Sequence, residues 1–144
     1  MVIRKITLDE IQGVFQLIGE FNRKPAPDPS TEKVEQIFHQ LTQSGGFVVG
    51  AFDNDRMIGT CTFNLCHNFS WSGAPFAMLE NMVITEAYRN KGIGKAMMAF
   101  IDQECLRLGC YKVMVTTGVQ REAAIRFYQS AGYQANKAGL QKRF

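Results

Sequence analysis

At 144 residues, with 46% hydrophobic and 20% charged positions, the chain suits one globular domain (residues 1–144) with a buried core, and its composition excludes a disordered or fibrous protein. A net charge of +3 is mild and argues for small anionic ligands over a nucleic-acid surface. No stretch approaches the ~20 apolar residues of a membrane span, and the amino terminus lacks a signal-peptide apolar region, so a cytoplasmic protein without membrane association is expected.

In chain order, residues 2–6 alternate like a first strand. Thr7 or Asp9 can cap a helix whose apolar positions are Ile11, Val14, Phe15, Leu17 and Ile18. Pro25, Pro27 and Pro29 force a loop, because proline lacks the N–H that regular structure needs. Residues 31–42 read as a second helix with Val34, Ile37, Phe38 and Leu41 inward, ended by Gly45-Gly46. Residues 47–52 and 57–65 form a hairpin across residues 53–56. A polar, aromatic connector follows over residues 67–75, and then a strand over residues 76–84.

The next segment is Arg89-Asn90-Lys91-Gly92-Ile93-Gly94-Lys95, which opens a helix over residues 92–108. Glycines that admit close backbone approach, three cations and a helix N-terminus together suit a phosphate group. Three phosphate-binding patterns compete for it. A Walker A loop requires glycine at Arg89 and a magnesium-binding hydroxyl at Ala96, so a nucleotide hydrolase fails. A dinucleotide fingerprint requires glycine at Met97. The pattern [RQ]-x-x-G-x-[GA] is met in full by Arg89, Gly92 and Gly94. Against all three stands a basic helix-opening turn with no ligand.

The main helix has Ile93, Ala96, Met97, Phe100 and Ile101 on its apolar side and Gly109 as its stop. A strand follows over residues 111–117. Ala124, Phe127 and Tyr128 then share one face of another helix, Gly132 supplies its exit, and residues 133–144 are expected to add one or two closing strands. A strand pair ahead of strand–helix–strand–helix gives a mixed, mostly antiparallel α+β sheet with about four flanking helices. Cys61, Cys66, Cys105 and Cys110 have no metal-ligand spacing, and no metal is expected; they read as buried or half-buried free thiols.

The Arg89–Gly94 pattern and the later string Ala124-Ile125-Arg126-Phe127-Tyr128-Gln129-Ser130-Ala131-Gly132-Tyr133, which fits A-x-x-F-Y-x-x-x-G-[FY], occur in the order found in the GNAT superfamily of acyl-CoA-dependent N-acyltransferases, and the chain resembles that family. The likeness covers residues 78–133 well and the rest in outline. It implies the GNAT fold and acetyl-CoA as acyl donor. Arg89, Asn90, Lys91, Gly92, Ile93, Gly94 and Lys95 would hold the pyrophosphate, mainly through backbone N–H groups. The backbone of Met82, Val83 and Ile84 would meet the pantetheine arm, in a slot where the strand splays from residues 111–117, and would supply the oxyanion donor.

The resemblance further implies Glu80 as general base or end of a water chain, and Tyr128 as the acid that donates to the departing sulfur. Transfer to the amine would then proceed by direct attack through a tetrahedral intermediate. The competing readings are a Glu80 paired with an arginine on the sheet face and a Tyr128 that merely packs. One departure concerns Arg121, which stands where many members carry an asparagine on the cofactor arm; arginine cannot accept hydrogen bonds and would reach a phosphate or an anionic group instead. Residues 116–121, Glu80 and the aromatic connector resemble the branch that includes aminoalkylphosphonate acetyltransferases. That implies a small polar amine as substrate, met by Glu80, Asn81, Trp71 and His67, with Phe69, the Pro25–Pro29 loop and the first two helices around them. A homodimer is a further implication. Acetylation of protein lysines or N-terminal amines, and a non-catalytic acyl-CoA sensor, are the alternative functions.

Overall fold

The computed structural model describes residues 1–21 and 26–144. These form two compact units, Met1–Met114 and Val115–Phe144. The sheet has five strands in the order β1 (Val2–Lys5), β2 (Phe47–Asp53), β3 (Arg56–Cys66), β4 (Phe76–Ile84) and β5 (Val113–Val115). The first four pair antiparallel with their sequence neighbours. Tyr111 donates its N–H to the Pro75 carbonyl and Ala77 donates to that of Lys112, so the last ladder advances in the same direction on both segments, as parallel pairing does. Four α-helices lie among the described residues: α1 (Ile11–Ile18), α2 (Thr31–Gln43), α3 (Ile93–Arg107) and α4 (Glu122–Ser130). The α+β class with a mostly antiparallel sheet is the one expected from the sequence.

The larger unit has its sheet covered on both faces, which explains why six successive positions of β2 are buried where a half-exposed strand would alternate. On one face Ile6, Val14, Val48 and Phe52 form a cluster joined by Ile11 and Ile18 of α1, Phe38 and Leu41 of α2, and Met57 of β3. On the other, α3 buries Ile93, Met97, Met98, Ile101 and Cys105. The approach of α3 is close: a Cβ on Gly59 would stand 2.7 Å from Ile84 Cδ1 and 3.1 Å from Met97 Sδ. Lys5 Nζ pairs with Glu104 at 2.7 Å and so ties α3 to β1.

Four sequence expectations need correction. The first helix is preceded by a 3-10 turn, Leu8–Glu10, whose Glu10 carboxylate accepts from the Thr7 N–H at 2.9 Å. Ile37 is 46% exposed, because Val34, Phe38 and Leu41 complete the i, i+4, i+7 stripe and leave Ile37 at its edge. Strand β5 is only three residues long where seven positions read as strand. Residues 133–144 contain no strand; they carry three cations and few β-branched or aromatic residues, and Leu140 and Phe144 are fully exposed. Pro25 lies outside the described residues, and residues 26–29 have no regular structure.

Candidate active site

Strand β4 contains one residue more than its partner can match. Thr62 pairs with Glu80 and Thr60 with Val83, so Asn81 and Met82 together face Cys61. Asn81 absorbs the bulge with φ +54, a left-handed conformation that asparagine tolerates better than most side chains. Glu80 sits immediately before it, exposed, on the face shared with Thr62 and Thr60. That is the α1–α2 face: Gly50, opposite Thr60, would direct a Cβ at Ile6 and Phe52. Among the described residues the Glu80 carboxylate has no ion-pair partner. Its charge still reaches Cys61, whose thiol is pushed up to about 12, first by burial and second by Glu80. The Cys61 thiol, across from the bulge, therefore stays protonated at neutral pH.

Beyond Ile84 the chain makes a 3-10 turn, Glu86–Tyr88, and then the basic loop. Asn90 and Gly92 are left-handed at φ +60 and +79, and Gly92 is the N-cap of α3. This cap is unusual in what it omits. Among the described residues no side chain accepts from the first-turn N–H groups, no acid lies in the first turn, and Lys95 stands where the helix dipole disfavours a cation. A Cβ on Gly92 would meet nothing within 4 Å, so its outer side is open. A helix start with free donors, a nearby cation and an open approach fits a diphosphate.

The loop is fastened from behind. Tyr88 Oη donates to Asp53 Oδ2 at 2.7 Å, and Lys91 Nζ lies 5.0 Å above the Tyr88 ring. Arg89 Nε donates to the Ile84 carbonyl at 3.0 Å, while its Nη2 lies 3.9 Å from Glu20 Oε2. The same Glu20 oxygen accepts the N–H of Glu86 at 3.3 Å.

His67 and Trp71 lie at the other end of β4, where the connector enters Phe76. Trp71 is 70% exposed and stacks on Tyr111 at 5.1 Å. In the smaller unit, Tyr128 lies near the end of α4 with its ring 5.1 Å from Phe127 and 5.7 Å from Tyr133. The helix exit sets the second contact: Tyr133 donates its N–H to the Tyr128 carbonyl, Gly132 donates to that of Gln129, and Gly132 is left-handed at φ +91. Arg121 is exposed as the N-cap of α4.

The family model described as "Acetyltransferase (GNAT) family" matches residues 11–133. The chain belongs to the GNAT family. Among its curated relatives, a probable glucosamine 6-phosphate N-acetyltransferase of Drosophila melanogaster is 30% identical over 68% of this chain, a match that spans 45% of the fly protein. The glucosamine 6-phosphate N-acetyltransferase of Trypanosoma brucei brucei is 23% identical across 94% of this chain and 90% of its own. An aminoalkylphosphonate N-acetyltransferase of Salmonella typhimurium is 24% identical over 58% of this chain and 54% of that protein. Of solved structures, a putative acetyltransferase from Agrobacterium tumefaciens superposes with a TM-score of 0.90 at 28% identity, with both chains covered completely.

Three features of this candidate site escape a reading of the sequence. The bulge depends on pairing across two strands; an asparagine inside a strand is its only local signal. Tyr88–Asp53 and Glu20–Arg89 join residues far apart in the chain, and no motif marks them. Thr60, fully buried opposite Val83, keeps a hydroxyl without a hydrogen-bond partner among the described residues, and a threonine in a strand gives no hint of that.

Proposed function

We propose that this GNAT protein, acting through one catalytic domain, transfers the acetyl group of acetyl-CoA to the primary amine of a small molecule that also carries a phosphate or phosphonate group. The observation that carries the reading is the β4 bulge, with Glu80, which has no ion-pair partner among the described residues, before it and an open helix start after it. The two kinds of named substrate among the relatives, glucosamine 6-phosphate and aminoalkylphosphonates, share an amine and a phosphorus oxyanion.

The N–H groups from Lys91 to Lys95 would hold the diphosphate, with Lys91 and Lys95 adding charge and Arg89 contributing from behind the loop. Acetyl-CoA supplies an activated thioester carbonyl. An alkylamine with a pKa near ~10.4 is mostly protonated at neutral pH, so Glu80, directly or through water, takes the proton that frees the nitrogen lone pair. A bulge leaves strand N–H groups outside the ladder, and those near Met82 would receive the negative charge that grows on the carbonyl oxygen. Tyr128 would donate a hydrogen bond to the sulfur as the C–S bond breaks. Asn81 would orient the amine, Arg121 would meet a phosphate, and His67 and Trp71 would wall the acceptor side. No helix among the described residues is long and apolar enough to cross a membrane; a homodimer in the cytoplasm is the expected form, on family resemblance.

Calorimetric titration with acetyl-CoA, followed by a turnover screen of amino-sugar phosphates and aminoalkylphosphonates, tests the proposal. One-to-one binding and turnover on such an amine are expected. In the pH profile of kcat, Glu80→Gln should remove the acid limb and lower the plateau by about 10²-fold. Absence of acetyl-CoA binding at millimolar concentration refutes the reading. An unchanged Glu80→Gln profile refutes the base.

A further inference from the structure

Arg89, Tyr88 and the turn between β4 and α3 are gripped by two carboxylates that belong to neither GNAT motif. Asp53 ends β2 in the hairpin, and Glu20 lies just past the end of α1. Asp53 accepts the Tyr88 hydroxyl at 2.7 Å in a partly buried bond, and Glu20 accepts the Glu86 N–H at 3.3 Å while facing Arg89 Nη2 at 3.9 Å. Simple electrostatics disfavours acids at this place, since a helix start suited to a diphosphate gains nothing from nearby negative charge. Each acid is instead spent on geometry. Tyr88 and Glu86 flank the turn that leads into the left-handed residues Asn90 and Gly92, and Arg89 holds the Ile84 carbonyl at 3.0 Å.

We infer that Glu20 and the Asp53–Tyr88 pair are positioning residues for the diphosphate loop, holding its backbone donors in binding geometry before the cofactor arrives. This rests on the reading that the loop holds acetyl-CoA. Donors fixed in advance lose less conformational freedom on binding, so the effect falls on cofactor affinity and leaves the chemical step alone.

The test compares Glu20→Ala, Glu20→Gln, Tyr88→Phe and Asp53→Asn for acetyl-CoA Kd by calorimetry, and for KM and kcat at saturating amine. Tyr88→Phe, which deletes a hydrogen bond to a carboxylate, should raise Kd and KM about tenfold with kcat within about twofold of wild type. Asp53→Asn keeps an acceptor for Tyr88 and should stay near wild type. Glu20→Ala should raise KM about fivefold, and Glu20→Gln, which can still accept from Glu86, should recover part of that loss. The direction is decisive, because removal of a negative charge near a polyanion would by Coulomb attraction alone tighten binding. Equal or tighter binding in Glu20→Ala and Tyr88→Phe overturns the inference, as does a fall in kcat at unchanged KM. Wild-type protein that binds no acetyl-CoA overturns the functional reading and this inference together, whereas tight wild-type binding with Glu20→Ala and Tyr88→Phe indifferent overturns this inference alone.

Discussion

Three glycines, Gly92, Gly109 and Gly132, adopt φ of +79, +70 and +91 at helix boundaries, and at each an added Cβ meets nothing within 4 Å. Alanine at any of them therefore costs the left-handed backbone penalty alone, about 1–2 kcal/mol, with no clash to relieve. For a domain of this length that lowers Tm by roughly 3 to 8 °C. The three variants should be alike in thermal unfolding and unlike in binding. Gly92 caps α3, and on the proposed reading the diphosphate lies at this helix start, where the new methyl group would stand. Gly92→Ala should weaken acetyl-CoA by at least about tenfold, equivalent to about 1.4 kcal/mol. Gly109→Ala, at the other end of α3, should bind as wild type does and serves as the matched control. Differential scanning fluorimetry and calorimetry on the same preparations give both quantities. Equal affinity in Gly92→Ala and wild type would refute the assignment of the loop. Equal losses in Gly92→Ala and Gly109→Ala would assign the effect to general loosening of α3.

Glu10 carries a carboxyl lowered to about 2 by its hydrogen bonds with Arg4 first and the Thr7 N–H second. A depressed folded-state value stabilises the protein above the ordinary carboxylate range and is lost as pH falls toward about 2, so Glu10→Gln should lower Tm at neutral pH and flatten its acid decline. Thr60→Val replaces a buried hydroxyl, without a hydrogen-bond partner among the described residues, with a methyl group of similar size, and Tm should stay level or rise; a drop would mean that the hydroxyl is satisfied. Burial raises the thiols of Cys61 and Cys105 to about 12, so in native protein at pH 8 a thiol reagent should leave both unlabelled, and unfolding in denaturant should expose all four cysteines. Rapid native labelling at Cys61 would contradict its burial across from the bulge.

Much of the architecture is legible because it is local. The limits of β4 follow from a largely apolar run that starts after Pro75 and ends before the turn at Glu86–Tyr88, and α3 follows from its apolar spacing and the glycine at its end. The hairpin between β2 and β3 turns at Asn54, left-handed at φ +52, within the polar residues 53–56 that separate two apolar-rich runs. What escapes is set by distant partners. The length of β5 depends on how far β4 runs beside it, and periodicity alone extends the strand to Thr117. Ile37 is apolar and correctly spaced, yet its neighbours on α2 fill the contact first. The loop motif names the residues that would face a phosphate but is silent on Glu20 and Asp53, which hold the loop from elements earlier in the chain.

Asn81 is, in terms of strand length, a surplus residue. With it deleted, Met82 would face Cys61 alone, the ladder from Glu80 to Val83 would become regular, and a left-handed backbone position would vanish. A shorter strand should thus make the more stable sheet and the poorer enzyme, a trade that stability selection applied alone would favour. Length variation across the family should fall in the connector before Phe76, where a residue gained or lost shifts no pairing, and should avoid the stretch from Glu80 to Ile84. There, a single insertion would exchange the residues that face α1 with those that face α3.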